Sequence, residues 1–325
     1  MFESNMKSLF LTLVFSAALG GAAVAQTAPP PAPSVEAPAS VDDIVVVARR
    51  AGLPIWTVDR GDSTVILVGS ISGVPRNYEW RPEALEQATL RAQRVMYPIE
   101  GRASPADVLR LIWRIRTITR LPDGRTIADY ASPELMAQLE ALHAGERSQN
   151  WRREPPLIQS LDLMDRTGLE RRGRAVVGVV SDKARRARIP GDAVGVVRGD
   201  ELIDGLLTAP PETYLACLAM TVEAAQAGPE GAAKRLDDWS HLRVAAVLAN
   251  PLDQALNLCW PSGDPEVAPM LRQKWLEATD QALGQPGVTL AVAPLRVLAE
   301  PDGVLDRLEA AGLDPRGPEW RPVGE

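Results

Sequence analysis

Two short runs of β-branched and apolar residues open the regular pattern of the chain. They cover residues 55–59 and 64–71, and the second, TVILVGSI, is apolar on both faces. A strand buried on both sides of a sheet has this composition. The intervening Arg60-Gly61-Asp62-Ser63 contains turn residues, so the pattern predicts a β-hairpin whose second strand lies inside a sheet.

Helix and strand signals follow the hairpin. A helix is predicted to start at Trp80-Arg81-Pro82-Glu83, which places proline and an acid in its first turn, and to continue to about Gln93. Residues 95–99 are predicted to form a further strand. This order predicts an α/β fold: a mixed central sheet that begins with the N-terminal hairpin and is flanked by helices.

A mainly helical region is expected from about residue 104 to residue 280. Ser104 caps its first helix, and apolar residues recur on one face of that helix: Val108, Leu111, Ile112 and Ile115. Further helices are predicted from residue 132 and over 211–227 and 232–249, with strands at 175–180 and 193–197. A strand at 287–292 and a helix at 303–311 follow, and the polar residues after 317 are expected to fray.

The first residues have the composition of a secretory signal peptide. Lys7 supplies positive charge, residues 9–18 are apolar, and Ala23-Val24-Ala25 forms an A-x-A cleavage site. We expect cleavage after Ala25 and a periplasmic or secreted mature protein. The apolar stretch is too short to span a membrane stably, and no later stretch qualifies, so no stable membrane anchor is predicted.

Residues 26–41 are rich in proline and alanine and predict a disordered spacer, which leaves residues 42–325 as one domain. Residues 42–50 resemble the acidic, valine-rich segment near the N-terminus of TonB-dependent outer-membrane receptors, but the chain is too short for a receptor barrel. A strand added to a sheet edge is the simpler interpretation. An envelope interaction protein that uses this segment is one alternative function.

Charge and cysteine content narrow the functional classes. The net charge is −7 and the pI is about 5.2, which argues against binding nucleic acid because phosphates require a basic surface. Short arginine runs, at 171–174 and 185–188, are interpreted as solvated.

The two cysteines, Cys217 and Cys259, are an even number in an exported chain, which favours one disulfide over two buried thiols.

Both ends of the domain resemble the TraB/GumN family, to which the Tiki and ChaN/EreA-like proteins are related. The N-terminal match consists of a tryptophan hairpin, a G-S-x-x segment and a W-x-P helix start; the C-terminal match consists of a strand, a degenerate G-x-x-H-L segment and a D-G-V-L helix start. The residues concerned are Trp56, Val58, 62–64, Leu67, 69–72, Trp80, Pro82, 289–297, 302–305 and Leu308.

The resemblance implies a metal-dependent hydrolase whose two G-x-x-H histidines, with acids, hold a divalent ion. Here Ser72 and Arg296 occupy the histidine positions. A serine hydroxyl is a weak ligand and a guanidinium cannot ligate. Only a displaced Glu100 is near the first acidic position, and Val197 falls where a later G-L-E-T element has its acid. Arg272 matches a family arginine that precedes an aromatic residue, here Trp275.

Other catalytic signatures are missing from the sequence. It has no G-x-S-x-G elbow, Walker A loop or G-x-G-x-x-G segment. Its two histidines, His143 and His241, lie in predicted helices without metal-ligand spacing, so a surface or capping role is expected.

These observations predict an inactive hydrolase scaffold that serves as a periplasmic binding or accessory protein, without a cofactor. The partner would be an unknown small molecule or an envelope protein. The alternative is a metal-dependent peptidase or hydrolase with a non-standard site. A candidate ligand pocket comprises Ser70, Ser72, Glu100, Arg272 and Arg296. Within it, Ser70 and Ser72 beside Arg296 could bind an anion; alternatively, Arg296 pairs with a structural acid such as Glu100.

Overall fold

The computed structural model describes residues 52–75, 78, 82–170, 176–265 and 267–322. The proposed signal peptide, the spacer, the valine-rich segment at 42–50 and the arginine run at 171–174 lie outside these residues.

Seven strands form two sheets. The five-stranded sheet has the order β1-β2-β7-β3-β5, and β4 pairs with β6 in a separate two-stranded sheet. The strands are β1 (Ile55–Arg60), β2 (Ser63–Ser70), β3 (Arg94–Tyr97), β4 (Glu100–Arg102), β5 (Gly191–Ala193), β6 (Val196–Arg198) and β7 (Gly287–Pro294).

The predicted hairpin is confirmed. β1 and β2 are antiparallel, with Ile55 opposite Val68 and Arg60 opposite Ser63. Gly61 begins the connection with a φ of 58°, a conformation that costs glycine little because it has no Cβ. The remaining pairs of the main sheet are parallel, so the predicted mixed sheet that starts with this hairpin is also confirmed.

Twelve α-helices are present among the described residues. They are α1 (Pro82–Arg91), α2 (Pro105–Thr119), α3 (Pro133–Leu142), α4 (Pro156–Met164), α5 (Val176–Ala187), α6 (Gly199–Thr208), α7 (Leu215–Ser240), α8 (Val244–Ala249), α9 (Pro251–Leu258), α10 (Val267–Leu283), α11 (Leu295–Ala299) and α12 (Val304–Ala310). The long α7 is broken at Gly228, where φ is 59° and Pro229 follows. None of the described helices has the length and apolar composition needed to cross a membrane.

The strand predicted at 175–180 is wrong, because this stretch begins α5. The buried residues of α5 are Val176, Val179, Val180 and Ala184, which follow the three- and four-residue spacing of a helix face. Four valines among six residues suggested a strand through their local preference. Burial of one helical face in the largest core cluster outweighs that preference.

The first middle helix also differs from expectation. Ser104 caps α2 as predicted, in a reciprocal hydrogen-bonded arrangement with Asp107. However, Val108 and Ile112 are exposed, so the face that these residues share is not a core face.

The C-terminal residues up to 322 pack on the domain, whereas the sequence predicted that the residues after 317 fray. Trp320 is buried, and its Nε1 donates to Asp306 at 2.9 Å. Thr57 of β1 forms an isolated bridge with Arg316. An indole needs both apolar contact and a hydrogen-bond acceptor when it is buried, and the domain supplies both.

The core is divided between the sheet and the helical middle region. The largest cluster surrounds β2 and β7 and includes Trp56, Trp239 and Trp275. Two smaller clusters share α7: one packs around Trp151 and Leu163, and the other contains Cys217 and Cys259. The helical middle region therefore has its own apolar interior, and α7 connects that interior to the sheet.

Candidate functional site

A cavity lies at the carboxyl ends of two adjacent parallel strands. β2 and β7 are in register, with Ser70 opposite Pro294. Ser72 and Arg296 each follow that pair by two residues, and both line a cavity of about 470 Å³. Carboxyl ends of parallel strands are where α/β folds gather ligand-binding groups, because the loops leaving them converge there.

Apolar side chains form most of the cavity wall. They come from the strand ends, α5, α9 and α10, and include Ile71, Ile99, Val176, Leu256, Leu271 and Trp275. The volume falls within the range of small-molecule sites, which combine an apolar wall with a few polar groups.

One carboxylate, Asp253, holds two arginines together in this cavity. Arg235 donates from Nε and Nη2 to its Oδ1 at 3.0 and 2.6 Å. Arg296 donates from Nε and Nη2 to its Oδ2 at 3.0 and 2.7 Å. Four charge-assisted hydrogen bonds therefore converge on a single buried acid.

This cluster also connects the two strand-end segments. The buried Arg235 donates from Nη1 to the carbonyl oxygen of Ser72 at 3.0 Å. Arg296, which is partly buried, donates from Nη2 to the carbonyl oxygen of Leu248 at 2.6 Å. The guanidinium groups are thus fixed by both backbone and carboxylate, and their orientation does not depend on a bound molecule.

The charges around the cavity leave a surplus of one positive charge. Arg235, Arg272 and Arg296 line it, and the acids paired with them are Asp253 and Glu300. Arg272 binds Glu300 through two hydrogen bonds of 2.5 and 3.2 Å, which raise the pKa of the Arg272 guanidinium despite the opposing effect of burial. A positive surplus beside an apolar wall favours an anion.

A disulfide connects the two helices that supply Arg235 and Asp253. Cys217 in α7 is bonded to Cys259, which caps the end of α9, and their Cα atoms are 4.8 Å apart. The bond predicted between these cysteines is therefore present. It holds α9 against α7 near one end, while the Arg235–Asp253 ion pair joins them near the other.

The structure places four of the five predicted pocket residues at the cavity. Ser70, Ser72, Arg272 and Arg296 line the cavity. Ser70 donates its hydroxyl to the carbonyl oxygen of Ala293 at 2.8 Å, so that hydroxyl fixes the strand ends. Ser72 is exposed at the cavity mouth.

Glu100 lies in β4, exposed, and pairs with Arg102 at 3.4 Å. It does not line the cavity, although the following Gly101 does. Arg296 pairs with a structural acid, as the alternative interpretation predicts, but that acid is Asp253 and not Glu100. A local sequence pattern could not identify Asp253, since it belongs to a helix 43 residues earlier.

The two histidines lie far from this chemistry. Each follows the last residue of a helix, α3 for His143 and α7 for His241. The buried His143 stacks on Trp151 with ring centroids 4.6 Å apart, and His241 is exposed beside Asp237. Among the described residues, no group of three or more histidine, cysteine, aspartate or glutamate side chains could hold a metal ion.

The family comparison agrees with the motifs at the two ends of the domain. The TraB/PrgY/gumN family profile matches residues 54–316. The chain belongs to the TraB/PrgY/gumN family. No curated protein matched the chain in a separate search.

Family membership clarifies the geometry at the strand ends. Ser72, Val197 and Arg296, which the resemblance equates with the ion-holding motifs of TraB/GumN-like hydrolases, all line the same cavity. None of the three side chains suits a divalent ion, because a lone hydroxyl is weak, an isopropyl group has no donor atom and a guanidinium is cationic. The residues present therefore do not fit the metal that the resemblance implies.

Arg235 and Asp253 are the site residues that the sequence did not reveal. Arg235 stands in an acidic and basic helical run, and Asp253 stands in the first turn of α9. Both placements are usual for solvated or helix-capping residues, so only their burial distinguishes them. A partial signal existed in Arg296 itself, since a buried arginine requires a carboxylate.

Proposed function

We propose that this chain is an exported, non-catalytic member of the TraB/PrgY/gumN family that binds a small anionic molecule with an apolar body. Its anionic group, a carboxylate or phosphate, would meet Arg296 and Arg272, and its apolar part would lie against Ile71, Leu271 and Trp275. No metal or other cofactor takes part. The positive surplus around Asp253 is the observation that carries this proposal.

The side chains of Ser72, Val197 and Arg296 support a binding role over metal-dependent hydrolysis. The one unbalanced positive charge around Asp253 would repel a cation by about 4 kcal/mol per unit of charge at 4 Å and an effective dielectric near 20. An anion at the same place would gain a comparable attraction and could accept a hydrogen bond from Nη1 of Arg296, because Nε and Nη2 already donate to Asp253 and Leu248.

Export is the second part of the proposal. The A-x-A site before residue 26 supports it, and the disulfide is favourable in an oxidising compartment. We propose a periplasmic or secreted location for a mature chain consisting of a spacer at 26–41 and one domain at 42–325.

Octanoate is a suitable first probe because it joins a carboxylate to an apolar chain, and 1-octanol is its uncharged match. Calorimetric titration should detect octanoate binding and a much weaker effect of octanol. Arg296→Gln should weaken octanoate binding at least about tenfold, because a charge-assisted hydrogen-bonded pair contributes about 1.5–3 kcal/mol.

The control is Arg307→Gln, which removes an exposed arginine of α12 and should leave the affinity unchanged. Equal effects of the two substitutions would reject the cavity as the binding site, and inorganic phosphate tests whether the anionic group alone suffices. The competing hypothesis, a metal-dependent hydrolase with a non-standard site, predicts stoichiometric divalent metal in the purified protein and peptidase activity that a chelator abolishes.

A further inference from the structure

Helix α2 exposes an unusual number of large apolar side chains. The exposed fractions are 48% for Val108, 59% for Leu109, 57% for Ile112 and 87% for Trp113. Elsewhere in the described residues the exposed large apolar side chains are Leu90, Leu161, Val196 and Leu258, which belong to four different elements. Single exposed residues of that kind are ordinary, whereas four on two turns of one helix form a patch.

The four residues form one continuous stripe. Their positions i, i+1, i+4 and i+5 lie on neighbouring faces of a helix with 3.6 residues per turn. Leu111 lies outside this stripe and is partly buried, so the helix has a separate side directed to the protein. The stripe therefore faces solvent, and it is separate from the side of α2 that faces the protein.

The protein holds α2 from the other side. Arg110 pairs with Asp204 of α6 at 2.5 Å, and the start of α6 approaches α2 so closely that a Cβ on Gly199 would lie 2.7 Å from an Asp107 carboxylate oxygen. Ser104 and Asp107 cap the helix reciprocally. These contacts fix the orientation of α2 while leaving the apolar stripe uncovered by other described residues.

The charge of α2 opposes that of the whole chain. Residues 105–120 contain one acid and four arginines, in a chain of net charge −7. Asp204 neutralises Arg110, which leaves a local charge of +2. Arg114 and Arg120 are exposed, and neither forms an ion pair with another described residue. The stripe is thus bordered by uncompensated positive charge.

We propose that α2 docks this protein onto the surface of an anionic lipid membrane. Interfacial helices combine an apolar stripe containing tryptophan with arginine or lysine on the adjoining faces. The indole of Trp113 would lie at the headgroup level, where tryptophan is enriched, and the arginines would contact lipid phosphates. The helix lies on the membrane and does not cross it.

The charge of α2 also favours an anionic membrane over a second copy of the chain as the binding partner. A two-fold dimer through α2 would bring two segments of uncompensated charge +2 together, and this repulsion opposes association. An anionic bilayer attracts the same arginines and accepts the apolar stripe at the same time.

Vesicle co-sedimentation of the full chain tests the proposal. Wild-type protein should bind phosphatidylcholine vesicles that contain about 30% phosphatidylglycerol, bind pure phosphatidylcholine weakly, and dissociate at about 0.5 M salt. Trp113→Glu should reduce the partition coefficient at least about tenfold, because it places a carboxylate in the centre of the stripe. Arg114→Gln should reduce it about threefold to fivefold.

Two matched substitutions control for composition and charge. Leu90→Gln changes a half-exposed leucine on α1, and Arg307→Gln removes an exposed arginine on α12; both should bind vesicles as the wild type does. All variants share the same N-terminal residues, so differences between them report on α2. Unchanged thermal unfolding of Trp113→Glu shows that the variant is folded.

The proposal is overturned if Trp113→Glu and Leu90→Gln bind vesicles equally, or if wild-type protein stays in the supernatant. It is also overturned if the wild type is dimeric by sedimentation velocity and Trp113→Glu makes it monomeric without any effect of lipid. Arg296→Gln should leave vesicle binding intact, which separates this test from that of the cavity.

Discussion

Asp253 offers the sharpest test of the site, because replacing it should change stability and ligand affinity in opposite directions. Its carboxylate neutralises one of two arginines and accepts four hydrogen bonds from them. In Asp253→Asn, an amide with two N–H donors must face one guanidinium that also only donates. The substitution keeps the shape of the side chain while leaving two adjacent cations without a counter-ion.

The cost follows from the burial of the cluster. Charges about 4 Å apart attract by about 4 kcal/mol at an effective dielectric near 20. The substitution removes the attraction between the carboxylate and both arginines. It also removes the free-energy cost of taking that carboxylate out of water. Removing one partner of a buried ion pair costs about 3–5 kcal/mol, and we expect Asp253→Asn to lower the free energy of unfolding by that amount.

Urea unfolding followed by circular dichroism measures the loss. The control is Asp280→Asn, which breaks an ion pair of 2.8 Å between exposed side chains of Asp280 and Arg60 and should cost less than about 1 kcal/mol. Asp253→Asn combined with Arg296→Gln should cost less than the sum of the single substitutions, since the double variant leaves one cation fewer unpaired.

The affinity for the ligand should increase, although the stability of the fold decreases. Asp253→Asn raises the surplus around the cavity from one positive charge to two. Octanoate should therefore bind roughly thirtyfold more tightly, because the added attraction is about 2 kcal/mol at ~8 Å and an effective dielectric near 20. The reasoning is refuted if Asp253→Asn costs no more than Asp280→Asn, or if it weakens octanoate binding as Arg296→Gln does while remaining folded.

Three further outcomes are expected. Replacing Cys217 and Cys259 by serine should lower the free energy of unfolding by about 4 kcal/mol, because the bond closes a long loop between residues 42 positions apart; recovery of both thiols in non-reducing peptide mapping would contradict the bond. Although burial opposes it, hydrogen bonds from Lys234 and Arg243 lower the pKa of Asp238 below its usual 3.8; its stabilisation should therefore be complete above about pH 5 and lost as the pH falls below about 4, and Asp238→Asn should flatten this part of the stability profile. Mass spectrometry of the exported protein should show a mature chain that begins at Gln26, and an intact N-terminus would exclude cleavage there.

The sequence by itself determined the elements whose stability is local or whose composition is distinctive. The β-rich runs around Gly61 and the doubly apolar β2 predicted the hairpin and its place in the sheet. Proline and serine at helix starts predicted α2 and α3. The even number of cysteines and the predicted export signal favoured the bond between Cys217 and Cys259, which the structure contains. In each case the information lies within a few residues or in the composition of the chain.

Tertiary structure decided the features that depend on which distant groups meet. The valines at 176–180 form a helix because one helical face packs in the core. Val108 and Ile112 are exposed because nothing in the described chain covers that side of α2. Asp253 serves Arg235 and Arg296 because α7, α9 and the end of β7 converge on the cavity. A sequence pattern records that a side chain is charged or apolar, but only the fold determines whether water, a counter-charge or another side chain surrounds it, and that environment sets its energy and its role.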